Sequence, residues 1–297
     1  MLTCSIHYYL FQDLLYLRVF VLSYLKASCI FPTIPYGFWY SKVLTKDEKN
    51  YNMTIRYEAN PPKILPGADT DESIAKFINK IKTISKNCDA IHLTENVLGH
   101  QRVSPIEVGK ILRNEIPEIP ITVSLRVRDK NKEEISQFVD NCISLGFSGI
   151  LVLMGDPSQT GNSDSGETPS ATVKRLREQG IDSKIDLYLS ISNKPDFSKI
   201  QKKIDALPKG FITQVVQNLE QVENISSNLK EFSIIPIILF PSEKNQSSAK
   251  FLDLDLSTYS QDFERFVKKI HGVTGDILIT SPSDFSGLNE FLQNSAS

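Results

Sequence analysis

The chain has 297 residues, of which 40% are hydrophobic and 23% charged, with a formal net charge of -2. That balance suits an ordinary folded protein and gives no concentrated basic surface for nucleic acid. Its four cysteines, Cys4, Cys29, Cys88 and Cys142, form no C-x-x-C pair, which argues against a zinc or iron–sulfur framework and fits a reducing cytoplasm.

Residues 1–52 are rich in Tyr, Phe and Leu, but Asp13, Arg18 and Lys26 interrupt the apolar run and Pro32 and Pro35 follow it. A spanning helix needs about 20 mostly apolar residues, and a secretory signal wants basic residues before its apolar stretch, so neither is expected. We read 1–52 as an N-terminal hydrophobic extension or translated leader. Met53, two residues ahead of the first strand pattern, is the natural start of a single domain over 53–297.

From there short apolar runs alternate with amphipathic stretches. The runs are Ile55 to Glu58, Ala90 to Thr94, Ile121 to Val127, Gly149 to Met154, Ile185 to Ile191, Phe211 to Val216, Ile234 to Phe240 and Asp276 to Thr280. They are rich in Ile, Val and Leu, as strands buried on both faces should be. Between them, Asp71 to Lys86 and Lys132 to Leu145 carry apolar residues at helical spacing, and Ser104-Pro105-Ile106-Glu107 reads as a helix start. Gly146 and Gly180 stand where helices should stop. Eight strand–helix repeats predict an α/β fold, a (β/α)8 TIM barrel. An open doubly wound sheet often carries G-x-G-x-x-G after its first strand, and here Pro61-Pro62 follows instead. Cys88 and Cys142 read as small buried side chains.

In a barrel of this kind functional residues gather at the C-terminal ends of the strands. Those ends supply Glu58, Thr94, Arg126, Arg128, Asp129, Gly155, Asp156, Gln214 and Gln217. Glu58 precedes a rigid Pro-Pro, and a sheltered carboxyl there would be suited to donate a proton near neutral pH. The competing reading is a structural salt bridge with Arg126 or Arg128. Asp156 follows Gly155, whose missing side chain would let a flat ligand approach; Asp156 could equally be a turn residue. Gln214 reads as a buried amide that either faces a ligand or knits the interior, and Thr94 has the same two readings. Arg128 and Asp129 could bind an anion or pair with each other. His92 reads as a satisfied core residue. No His or Cys pair has metal-ligand spacing, and no serine has a convincing base.

Taken together, these strand ends resemble those of the methylenetetrahydrofolate reductase family, from about Ile55 to Phe251. Tyr57-Glu58-Ala59-Asn60-Pro61-Pro62-Lys63 is similar to the family's opening strand, whose Glu is the catalytic acid. Leu151-Val152-Leu153-Met154-Gly155-Asp156-Pro157 is similar to the stretch whose Asp binds the pterin, and Ile212-Thr213-Gln214 to the one whose Gln contacts folate. Arg128-Asp129-Lys130-Asn131 resembles the family's turn after strand three. By the same resemblance Thr94, Gly155, Asp156, Asp196, Lys202 and Lys203 fall at flavin-binding positions, and Phe251 where an aromatic ring packs on the substrate.

The resemblance implies a cytoplasmic oxidoreductase of one-carbon metabolism and methionine biosynthesis. It would reduce 5,10-methylenetetrahydrofolate or a related pterin to the 5-methyl form, with NAD(P)H as reductant and FAD as carrier. The implied partner is that small molecule, with no nucleic acid or membrane and a possible homo-oligomer. The chain departs from the family pattern at Ser124, where a flavin-contacting His is common, and at Met154, where an Arg precedes Gly-Asp. It also departs at Ser190 to Pro195 and at Ile279 to Pro282. The folate-side residues are better kept than the cofactor side, so the alternative is a flavin-independent pterin-binding protein or methyl-transfer partner subunit on the same barrel.

Overall fold

The computed structural model describes residues 54–67, 69–97, 100–156 and 166–295; the extension over 1–52 lies outside them. The described residues alternate strand and helix, beginning with β1 (Thr54–Ala59), α1 (Thr70–Ile84), β2 (Ala90–Leu93), α2 (Pro105–Glu115), β3 (Ile121–Arg126), α3 (Lys132–Ser144), β4 (Gly149–Leu153) and α4 (Pro169–Glu178). The second half holds β5 (Asp186–Ile191), α5 (Gln201–Asp205), β6 (Gly210–Val215), α6 (Leu219–Asn228), β7 (Ser233–Leu239), α7 (Gln246–Phe251), α8 (Phe263–Thr274), β8 (Asp276–Thr280) and α9 (Phe285–Ser295). All eight strands are parallel to their neighbours and close into a barrel in the order β1 to β8, as the repeats predict. None of the described helices is long and apolar enough to cross a membrane.

The local chemistry explains where the helices begin and end. The Asp69 side chain accepts from the Glu72 amide, and Asn131 and Glu134 form a reciprocal capping box at the start of α3, each satisfying amides that a first turn leaves without partners. Gly146 and Gly180, just past α3 and α4, sit at φ +65° and +73°, where a Cβ is disfavoured. Helix faces such as Ile74, Phe77, Ile78 and Ile81 pack onto the outward face of the barrel. β2 and β3 are buried at every residue, as strands covered on both sides require. Cys142 is fully buried, but Cys88 is only half-buried.

The registers fix which side chains enter the barrel. Glu58 pairs with His92 on β2 and Thr280 on β8, His92 with Thr122, and Leu151 with Tyr188. Leu151, Tyr188, Ile212, Ile235 and Leu278 form a separate apolar cluster there. Near the N-terminal end the Nε and Nη2 of Arg56 grip the Asp276 carboxylate at 2.8 and 2.6 Å. His92 is satisfied as expected: its ring nitrogens meet the Thr122 and Ser124 hydroxyls at 2.9 and 3.0 Å. Burial, then the nearby Arg56 charge, holds its pKa down at about 3, so it is neutral.

One strand breaks the regular ladder. Between Ile212 and Val215, β6 carries one residue more than β7 does between Ile235 and Ile237. This is a β-bulge. The Thr213 hydroxyl fills the gap: it accepts the Ile237 amide at 3.1 Å and donates to the Gln214 carbonyl at 2.6 Å.

Candidate active site at the barrel mouth

The C-terminal ends of β1, β6, β7 and β8 enclose a cavity of about 370 Å³, within the range of small-molecule sites. Glu58 and Asn60 come from β1 and its turn, Val215 from β6, Ile237 and Leu239 from β7, and Thr280 from β8. Phe251 and Leu252, at the end of α7, form an apolar lip and are 69% and 43% exposed. Arg102, from the loop between β2 and α2, completes the wall.

Glu58 keeps partial access to solvent through this cavity, yet its surroundings strip away most of its water. Burial holds its carboxyl above the usual carboxylate range, while a hydrogen bond from Thr280 pulls the other way. Thr280 is buried and donates from Oγ1 to Glu58 Oε1 at 2.7 Å. With Oε1 already accepting a proton from Thr280, the acid proton belongs on Oε2. Desolvation of this kind favours the protonated form of a carboxyl. The salt bridge to Arg126 or Arg128 considered from the sequence does not form.

Arg126 has other work. Only 2% exposed, it donates to Asp129 Oδ2 at 2.9 Å, to the Asn96 carbonyl at 2.8 Å and to the Asp156 carbonyl at 2.6 Å. One guanidinium thus ties together the loops after β2, β3 and β4. Asp129 pairs with Arg126 rather than with Arg128, whose Nε is shielded from solvent without a partner. Glu95 adds a second brace: it accepts the Arg126 amide at 2.7 Å and the Lys130 ammonium at 2.6 Å.

Several residues expected to bind a ligand are engaged within the chain. Thr94 donates to Asn60 Oδ1 at 2.7 Å. Gly155 sits at φ +84°, and a Cβ there would lie 2.8 Å from the Arg126 guanidinium; the missing side chain makes room for that arginine. Asp156 is exposed and does not line the cavity. Gln214, expected to be a buried amide, is exposed beside the bulge. The cavity wall therefore comes from Val215, because the extra residue shifts the inward parity by one. Asp196 caps a short turn through the Ser198 amide and pairs with Lys199 at 2.9 Å. Lys203 donates to the Ser190 carbonyl at 2.6 Å, and burial lowers its pKa. Lys202 is exposed. Of the residues expected to serve catalysis, substrate or cofactor, Glu58, the expected acid, and Phe251, an expected substrate contact, meet in the cavity.

Thr280 and Arg102 were not singled out from the sequence. Thr280 could have been found: once eight strands are read, alternation turns the polar residue at the end of the last one inward beside Glu58. Arg102 had no such signal, because it lies in a loop with no periodic pattern.

Flavin binding calls for donors free to meet its phosphates and ring. Thr94 spends its hydroxyl donor on Asn60 and Lys203 one of its three on Ser190, while Asp196, an acceptor, is engaged by Ser198 and Lys199. The exposed Lys202 and the remaining donors of Lys203 could still meet a phosphate, whereas the hydroxyl of Thr94 is already committed.

No curated protein matches the chain. Among solved structures, an uncharacterized protein from Clostridium thermocellum that binds two copies of 5-methyl-5,6,7,8-tetrahydrofolic acid superposes with a TM-score of 0.56 at 16% identity, covering 82% of this chain and 93% of that one. A 2,3-dimethylmalate lyase of the PEP mutase/isocitrate lyase superfamily superposes with a TM-score of 0.49 at 12% identity, covering 83% and 81%. The family model for methylenetetrahydrofolate reductase matches residues 43–254. On that match, the chain belongs to the methylenetetrahydrofolate reductase family.

Proposed function

We propose that the chain binds a reduced pterin of the methylenetetrahydrofolate class in the cavity at the barrel mouth, and that Glu58 is its proton donor. The observation that carries this reading is the carboxyl of Glu58, desolvated and fixed by Thr280 in the wall of a mostly apolar cavity. Family membership and a structural neighbour that binds methyltetrahydrofolate support the choice of ligand. The pterin ring lies against Val215, Ile237 and Leu239, with Phe251 over it. A proton from Glu58 Oε2 to a bridging ring nitrogen opens the methylene bridge and leaves an electrophilic iminium carbon. Reduction of that carbon with NAD(P)H completes the activity that family membership favours, an oxidoreductase forming 5-methyltetrahydrofolate. In the family FAD carries the hydride.

The internal bonds of Thr94 and Asp196 favour a second reading, a flavin-independent pterin-binding protein or methyl-transfer partner subunit. The absorbance of the purified chain separates the two. A flavin spectrum bleached by NAD(P)H and restored by methylenetetrahydrofolate supports the reductase. A colourless protein that ignores added FAD yet binds 5-methyltetrahydrofolate supports the second reading. In a reductase, Glu58→Gln should keep pterin affinity within a few fold and lose folate turnover by about 100-fold or more. Unchanged turnover would remove Glu58 from its role, and no saturable pterin binding would remove the ligand.

A further inference from the structure

Three arginines among the described residues turn the Nε–Nη2 edge of the guanidinium toward a carboxylate, and two of them, Arg56 and Arg175, engage both of its oxygens. The Nε–Nη2 edge of Arg56 grips Asp276 at 2.8 and 2.6 Å, that of Arg126 grips Asp129 at 3.2 and 2.9 Å, and that of Arg175 grips Glu167 at 2.9 and 3.2 Å. This side-on fork matches the two oxygens of a carboxylate. Arg102 breaks the pattern. Its Nη1 is anchored to the Pro61 carbonyl at 2.6 Å, and its backbone amide to Asn96 Oδ1 at 3.0 Å. Its Nε is shielded from solvent and has no partner, and no hydrogen bond is made from Nη2 among the described residues.

The anchoring makes this fork more than a loose surface arginine. The loop that carries Arg102 is tied back to the turn after β1 by the Ile64 amide to Gln101 and the Val103 amide to Pro62, at 3.0 and 2.9 Å. Arg102 therefore reaches the cavity wall with its position fixed and its Nε and Nη2 donors unspent. Arg128 also has an unpaired Nε, but it does not line the cavity. Among the described residues of the cavity wall Glu58 and Arg102 are the two ionisable ones, and Glu58 is held by Thr280 rather than by Arg102. A cavity with the desolvated Glu58 carboxyl on one side, a guanidinium with unpaired nitrogens on another and apolar walls between them suits an amphipathic ligand with an anionic end.

We propose that Arg102 is a carboxylate-recognition residue of this site, gripping a carboxylate on the tail of the pterin through its Nε–Nη2 edge. The proposal rests on the pterin reading of the cavity and adds to it: the ligand must carry an acidic tail. A lost charge-assisted fork weakens binding by about tenfold or more.

The test compares 5-methyltetrahydrofolate, which has a glutamate tail, with 6-methyltetrahydropterin, which has none, on the full chain and on Arg102→Gln and Arg102→Lys. Calorimetric titration should show a loss of about tenfold or more for the tailed ligand in Arg102→Gln, with recovery in part by Arg102→Lys. The tail-less ligand should bind all three chains within about twofold. Equal losses for both ligands, or no loss for either, overturn the proposal. Inorganic phosphate that raises the unfolding temperature only when Arg102 is present, with both pterins unaffected by its replacement, also overturns it and assigns the fork to a phosphate. If the unaltered chain binds neither pterin, the ligand reading of the Glu58 cavity fails. The fork is then judged with glutamate alone at matched ionic strength: stabilisation lost in Arg102→Gln supports carboxylate recognition, and no stabilisation overturns it.

Discussion

On the side of the mouth formed by β2 to β5, several polar groups are already bonded to the protein itself. Arg126 holds three loops, Glu95 is braced by Lys130, Thr94 meets Asn60, and Lys203 meets a carbonyl of β5. On the side formed by β1, β7 and β8, Glu58 and Thr280 stand in a cavity wall beside Arg102 and below an exposed Phe251. Both sides draw on the same residue types at the same level of one barrel. They differ in what each side chain has already bonded to. A buried donor satisfied within the chain stabilises the fold and has little left for a ligand, whereas a carboxyl with one free oxygen or a guanidinium with one free edge still has a bond to form.

The largest effect should come from breaking the spent side. Arg126→Met leaves Asp129 and two loop carbonyls without their partner, and breaking a buried pair costs about 3–5 kcal/mol. Chemical denaturation should show a loss of that order. A loss under about 1 kcal/mol would mean that the loops hold themselves and that the contrast between the two sides is wrong.

A middle effect tests the interior beneath the mouth. His92 is neutral in the fold with its pKa held at about 3, while an unfolded histidine takes a proton near pH 6.5. Between these values the unfolded chain binds more protons, so His92 makes stability rise with pH, and this contribution is lost as pH falls from about 6.5. Glu58, with its raised pKa, works in the opposite sense: its contribution is present at low pH and lost as pH rises through the folded value. The two overlap, so the measurement must be a difference. Unfolding free energies of the unaltered chain minus those of His92→Gln should rise with pH between about 4 and 6, by about 1.4 kcal/mol per pH unit. A flat difference would contradict the neutral, satisfied histidine.

The smallest effect on stability belongs to the open side. Phe251 is 69% exposed, so Phe251→Ala should change stability by less than about 0.5 kcal/mol. Pterin affinity should nonetheless fall severalfold in titration if its ring covers the ligand. A large loss of stability would make Phe251 part of the core rather than the lip of a site.

The barrel was legible in the sequence because strands buried on both faces must be continuously apolar and the helices around them must carry an apolar stripe. The reading placed strand ends within about one residue. Runs extended through Thr94, Val127 and Met154 pass the last paired residue, where the chain is still apolar or extended but leaves the ladder. Glu58 was also legible, since a carboxylate ending a buried strand is conspicuous. Gln214 was misplaced because a bulge changes which residue points inward, and nothing in Ile212-Thr213-Gln214 announces that the Thr213 hydroxyl will stand in for a backbone acceptor.

By itself, the sequence determined the repeat of strand and helix, the closed barrel and the level at which chemistry belongs, because these follow from periodicity and the need to bury apolar faces. Tertiary structure alone decided which polar groups at that level are spent and which stay available. Arg126, the last residue of β3, and Arg102, in the loop after β2, are the same residue type, and only folding brings carboxylate and carbonyls to the first while leaving one edge of the second unpaired. Partner choice of this kind depends on distances between segments far apart in the chain, and no local pattern encodes those distances.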